Sequence, residues 1–188
     1  MLEPSKSVVV IAPVELFKEQ FAKGDVGTMA IGAGILSNEK IGYRNLIQND
    51  SFLIAAAAKL SLPREIETYN EIKKALAYIN NVKYKAEKNS YNHPINWKTL
   101  ATVSDSTIAV VRTNKGNFTI KLFGNTTPGS VANFIDLAND DFFDNKVYHR
   151  VVSNFVIQGG CPRGDGYGSL DYSIRSELPQ LYYDDEGY

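Results

Sequence analysis

Cysteine is almost missing from this chain: among 188 residues there is one, Cys161. No internal disulfide can form and no all-cysteine metal site is possible. Histidine is nearly as scarce, with only His93 and His149. A two-histidine metal site would need carboxylates that the sequence does not place, so neither a metal nor a cofactor is expected. Net charge is low at −1, which argues against nucleic acid or an anionic membrane as the main partner. No apolar run reaches the ~18 residues that a membrane-spanning helix needs. The opening MLEPSKSVVVIAPVELF lacks a basic region followed by a long apolar stretch and a small-residue cleavage site. No signal peptide is therefore read, and the chain is expected to be soluble, cytoplasmic or periplasmic.

What is present is enough apolar material for a real core, 44% of residues, in a length that suits one or two domains. Residues 1–81 read as helices. Val14, Phe17 and Phe21 share a helical face that stops at Gly24. Asp25 can cap a second helix through Met29, Ile31 and Leu36, although Gly27, Gly32 and Gly34 weaken it. Asp50 stands where it would cap SFLIAAAAKL, which halts before Pro63. The next segment, REIETYNEIKKALAYIN, puts Ile66, Tyr69, Ile72, Leu76 and Ile79 on one stripe, with Glu and Lys opposite. Short amphipathic helices with brief connections suggest the end of an α-solenoid. No clean repeat period appears, and a small bundle or an irregular helical extension is the alternative.

Residues 82–106 are polar and aperiodic and read as a linker, with Ile95 and Trp97 as its anchors and His93 at the surface. From Ile108 the pattern becomes strand. IAVVRT and NFTIKLF flank Asn114-Lys115-Gly116, a hairpin with glycine at the awkward backbone angle. TTPGSVANFIDLAND then reads as a helix with Thr127 at N-cap, Pro128 at N1, and Val131, Phe134, Ile135 and Ala138 buried. VYHRVVSNFVIQGGC follows. Its apolar runs, Val147–Val152 and Phe155–Ile157, read as two strands joined at Ser153-Asn154. Arg150, Phe155 and Gln158 fall within nine residues, and a strand that only needed to pack would choose neither the cation nor the amide. The tail has glycines at 164, 166 and 168, but no helix start follows them, so they mark turns rather than a phosphate loop.

The phrase Tyr148-His149-Arg150-Val151-Val152, a short turn, then Phe155-Val156-Ile157-Gln158-Gly159-Gly160 resembles the central signature of the cyclophilin family of peptidyl-prolyl cis–trans isomerases. KGNFTIKLF and TPGSVANFIDLA resemble that family's first hairpin and helix, and GDGYGS and IRSE its loop after the signature. YNHPINW, behind helices, resembles bacterial cyclophilins with an N-terminal HEAT-like helical region. The resemblance implies a chain of mixed α and β domains: a HEAT-like region over 1–81, a linker over 82–106, and the first half of a cyclophilin-like β-barrel over 107–188. The family's second half, with the remaining wall of its proline site, has no counterpart here, so the chain reads as a fragment. By the same resemblance Arg150 and Gln158 are the catalytic residues, and Phe155 and Val156 contact substrate. His149 is structural and Cys161 a passive thiol. The implied substrates are proline-containing polypeptides, with a possible protein partner for the helices. The competing implication is a module that grips proline segments without turning them over.

Overall fold

The structure is a computed structural model that describes residues 11–180. The first part of the stretch inspected for a targeting segment and the last part of the tail lie outside the described residues. The chain divides into two compact units. One comprises Met1–Asn89 with Arg163–Asp171, the other Ser90–Pro162 with Tyr172–Tyr188.

The first unit is helical. Helix α1 (Val14–Lys23) buries Phe17 and Phe21 and ends on Gly24, whose φ of 76° is left-handed, the usual way to close a helix. Helix α2 (Val26–Leu36) is capped by Asp25, whose carboxylate accepts the Thr28 N–H at 2.8 Å. Its glycines, which count against a helix by propensity, have a packing reason. A Cβ on Gly32 would lie 2.7 Å from the Phe21 ring, so the aromatic side chain of α1 seats only against a residue without one. Tyr43, in a 3₁₀ turn at Tyr43–Asn45, is buried and donates its hydroxyl to the Ala12 carbonyl at 2.8 Å. Helix α4 (Ile66–Ile79) packs on α2. Its buried stripe is Thr68, Ile72 and Ala75, with Leu76 and Ile79 at the margin of the core. The expected stripe is thus turned toward small residues, which let α2 come close.

Helix α3 (Ser51–Ala57) departs from expectation at both ends. Asp50 does not cap it. Its carboxylate accepts from the Asn80 amide at 2.6 Å instead, and the Ser51 N–H goes to Asn49 Oδ1 at 2.9 Å. The helix stops short of Leu60 because the chain tightens there into Lys59-to-Ala56 and Leu60-to-Ala57 bonds, the i-to-i+3 pattern common at helix ends.

The second unit carries the strands. Strands β1 (Ile108–Thr113) and β2 (Gly116–Lys121) pair antiparallel from Ile108↔Lys121 to Thr113↔Gly116. Asn114-Lys115 makes the turn and Gly116 takes φ 129°. Helix α6 (Pro128–Asn139) buries Val131 and Ala132. Phe134 and Ile135 are half-buried, and Ala138 is exposed, outside the stripe it was assigned to. The Thr127 hydroxyl does not cap α6 but donates to the Phe123 carbonyl at 3.1 Å. Glu177 caps the helix from 47 residues away, its two carboxylate oxygens accepting the Gly129 and Ser130 N–H groups at 2.8 Å each.

The stretch read as a linker has order within this unit. Its short helix α5 (Trp97–Leu100) is tied to α6 through Asn96 and Thr99, both of which donate to the Asp136 carboxylate. Trp97 is not the anchor expected, since it is 67% exposed. His93 stacks on Tyr172 with ring centroids 3.9 Å apart.

Strands β3 (Arg150–Val152) and β4 (Val156–Gln158) form a second antiparallel pair. The two ribbons are separate two-stranded sheets. Among the described residues no barrel closes, because each ribbon keeps unpaired edges. No helix of the described residues is long and apolar enough to cross a membrane.

Candidate functional site

The site is built on the β3–β4 ribbon. Register places Arg150 opposite Gln158, Val151 opposite Ile157 and Val152 opposite Val156. Directly opposed residues share a face, and alternate residues along a strand return to it. Arg150, Val152, Val156 and Gln158 therefore lie on one face, and Val151 and Ile157 on the other. The strands are shorter than their apolar runs, and the connection takes three residues rather than two. Asn154 adopts φ 58°, and the Phe155 N–H donates to the Val152 carbonyl at 3.1 Å.

That turn decides where Phe155 points. On a regular strand it would face away from Val156. In the turn its ring sits 5.9 Å from the Arg150 guanidinium carbon, within the reach of a cation–π contact. The four residues singled out from sequence thus lie along one small ribbon: a cation and an amide opposed across the strands at its open end, Val156 on the same face next to the turn, and an aromatic ring in the turn that reaches back toward the cation. The face is open. Phe155 is 76% exposed, Arg150 and Gln158 are exposed, and only Val156 is half-buried.

Around this face the packing is tight. The Tyr148 ring lies so close to Gly159 that a Cβ there would be 2.8 Å from it. Phe143 lies beside Gly160 and packs in a tilted arrangement against Phe134 of α6, with ring centroids 5.2 Å apart. Cys161 is buried. Both ring nitrogens of His149 are buried without a hydrogen-bond partner among the described residues, which suits a packing role better than a proton-transfer one. The described residues contain no cluster of three or more metal-ligating side chains.

Comparison with known proteins bears on the same stretch. Residues 108–187 match the family model described as cyclophilin type peptidyl-prolyl cis-trans isomerase/CLD. Over these residues the chain is similar to the cyclophilin family. Curated relatives of this cyclophilin-type segment are named peptidyl-prolyl cis-trans isomerase. One from Helicobacter pylori strain J99 is 44% identical over 70 residues, 37% of this chain and 43% of the relative. One from Synechococcus elongatus is 43% identical over 72 residues, 38% of this chain and 50% of the relative. Peptidyl-prolyl cis-trans isomerase B of Bacillus subtilis is 49% identical over 57 residues, 30% and 40%. The chain spans half or less of the length of each. No solved structure matches it.

Glu177 is the residue that sequence reading missed. It lies in the IRSE phrase of the cyclophilin-type segment, and nothing local distinguishes it from a solvated glutamate. Burial raises its carboxyl pKa, but the Ser130 and Gly129 N–H groups outweigh that and leave it lowered overall. Only knowledge that the chain returns to the start of α6 would have revealed it.

Proposed function

We propose that this chain carries the Arg150 side of a proline site, and that the complete protein is a peptidyl-prolyl cis–trans isomerase acting on proline-containing polypeptides. The observation that carries the reading is the shared face of Arg150, Val156 and Gln158 with the Phe155 ring at its end, inside a segment similar to the cyclophilin family. Rotation about an X–Pro bond is opposed by amide resonance of ~18–20 kcal/mol. No covalent step is needed to lower it, only tighter binding of the twisted amide than of either planar form. In the twisted amide the prolyl nitrogen regains a lone pair. A guanidinium, always charged and with its donors in a fixed fork, can donate to that nitrogen and hold the neighbouring carbonyl. Gln158, opposite Arg150, would bind substrate backbone and limit the arginine's freedom. Phe155 and Val156 would contact the proline ring.

An apolar slot needs more than one wall, and Phe155 stands open. The remaining wall is assigned to the part of the relatives that this chain does not span. The 188-residue chain is therefore expected to bind proline peptides weakly and to turn them over little. In the complete protein, Arg150→Ala is expected to lower kcat/KM about 10²–10³-fold, the usual loss for a preorganised donor. A protease-coupled proline-peptide assay measures this. Turnover in Arg150→Ala equal to the parent would sink the assignment.

The open face also supports a second reading, in which the segment grips proline segments without catalysis. Peptide binding by the complete protein with no rate enhancement would favour it. The helical region, read as HEAT-like, is the part assigned to partner recruitment. Helix α2 has no charged residue and leaves Ile31 and Ile35 exposed. A complete protein whose complexes are unchanged by Ile31→Lys with Ile35→Lys would count against that role.

A further inference from the structure

The helical unit is not made of the N-terminal residues alone. Arg163–Asp171, part of the cyclophilin-type segment by sequence, is folded within it. Three kinds of contact hold this loop. The Arg163 guanidinium donates to the Asp25 carboxylate at 2.7 Å and also lies 2.7 Å from the Asp165 carboxylate. The Tyr167 ring covers Gly27 so closely that a Cβ there would lie 2.8 Å from Cδ2. The Ser169 hydroxyl donates to the Arg64 carbonyl at 2.6 Å.

Each contact uses a feature of the helical unit that its own fold does not require. Asp25 caps α2 with one oxygen, Oδ1, and meets Arg163 with the other. Gly27 is buried in the first turn of a helix, where alanine would be better by ~1 kcal/mol. The ring above it explains why no Cβ is there. Arg64 offers its carbonyl just before the start of α4. The loop is also close-packed on itself, since a Cβ on Gly168 would lie 2.9 Å from the Arg163 N. Three glycines and a charged pair in nine residues would otherwise leave this segment without fixed structure.

We infer that residues 163–171 are a latch: a loop of the cyclophilin-type segment whose order is supplied by a receptor on the helical unit, formed by Asp25, Gly27 and the Arg64 carbonyl. The inference is independent of whether Arg150 is catalytic. It gives the helices a role beyond recruiting a partner, because part of the isomerase sequence takes its structure from them. The ion pair in the latch is exposed, so ionic strength weakens it, while the ring-on-glycine contact is insensitive to salt.

Hydrogen exchange of the whole chain, read by mass spectrometry, tests the latch. In the parent, peptides covering 165–171 are expected to be protected above the rate of an unstructured chain. Gly27→Ala raises the helix propensity of α2 while excluding Tyr167. It is expected to speed exchange in 165–171 about tenfold, the factor that ~1.4 kcal/mol gives, with α4 around Ile72 unchanged or better protected. Asp25→Asn keeps an N-cap acceptor and removes only the charge, so a smaller increase confined to the same peptides is expected. If Arg163→Ala loses protection across the helical unit, Asp25→Asn and Gly27→Ala carry the test. A loop that exchanges at the unstructured rate in the parent overturns the inference. So does unchanged exchange in 165–171 in both Gly27→Ala and Asp25→Asn.

Discussion

The two units bury apolar surface very differently. In the helical unit Phe21, Met29, Ala33, Leu36, Leu53, Ile72 and Ala75 are all at or near zero exposure. Among the described residues of the strand-bearing unit the buried apolar ones are Leu122, Val131, Ala132 and Cys161, all outside the strands. The strands hold theirs in the open, with Val151 67% and Ile157 58% exposed and Ile108, Val110, Phe118 and Ile120 exposed as well. A helix satisfies its backbone internally and needs only one buried stripe. A two-stranded ribbon has two faces and two edges to cover, and is marginal alone. The helical unit has what it needs, whereas the ribbons present a surface that asks for more sheet.

The largest contrast should come from the cores. Ile72→Ala, at a fully buried position, is expected to cost ~2–5 kcal/mol. Ile157→Ala, the same change on the open ribbon, should stay within ~0.5 kcal/mol. Denaturant unfolding of both variants measures the difference. A loss at Ile157 as large as that at Ile72 would mean that the ribbon is covered in solution.

A smaller effect is expected at the point where the strand-bearing unit does bury polar groups well. Glu177→Ala removes both acceptors from the first turn of α6, and caps of this kind are worth ~0.5–2 kcal/mol. Exchange of the α6 amides should rise first at Gly129 and Ser130. The sign with pH follows from the lowered carboxyl pKa. The stabilisation is present above the ordinary glutamate value of ~4.3 and is lost as pH falls through the folded-state value. Parent and variant should therefore converge in acid. If they stay apart there, the cap does not act through the carboxylate.

The same difference between units explains what could be read from sequence. Helical stripes are local, so α1, α2 and α4 follow from spacing, and the errors sit at ends. Asp50 bonds to Asn80 and Thr127 to Phe123 because competing partners exist only in three dimensions. The hairpin at Asn114-Lys115-Gly116 and the pairing of β3 with β4 were legible, since turn residues fix them. Arg150, Phe155, Val156 and Gln158 were legible as a group through the family phrase, and register adds that Arg150 shares a face with Val156 and Gln158. The sequence reads as the first half of a barrel, and among the described residues the strands form two separate ribbons that do not close one. Glu177 on α6, and Arg163 on Asp25 across 138 residues, are long-range polar pairs with no periodic trace.

Acid on the helical unit should give the smallest change. The Asp25 carboxyl is held down to about 2 by the Thr28 N–H and by Arg163, from an ordinary ~3.9. A depressed folded-state value contributes stability that is present above ~3.9 and disappears as pH falls through about 2. Side-chain exposure of 46% for Asp25 and 39% for Arg163 means that solvent screens much of this, so the helical core should stay folded through the transition. The charged groups facing Asp25 are Arg163 and, through it, Asp165. Exchange in 165–171 should accelerate between about pH 4 and 2 after correction for the intrinsic rate, and 1 M salt, with a screening length of ~3 Å, should reproduce part of the change at neutral pH. Asp25→Asn should remove most of the step. A step of equal size in that variant would show that the Asp25 charge is not its source, and the helical unit would then differ from the strand-bearing unit only in its core and not in how it holds its charges.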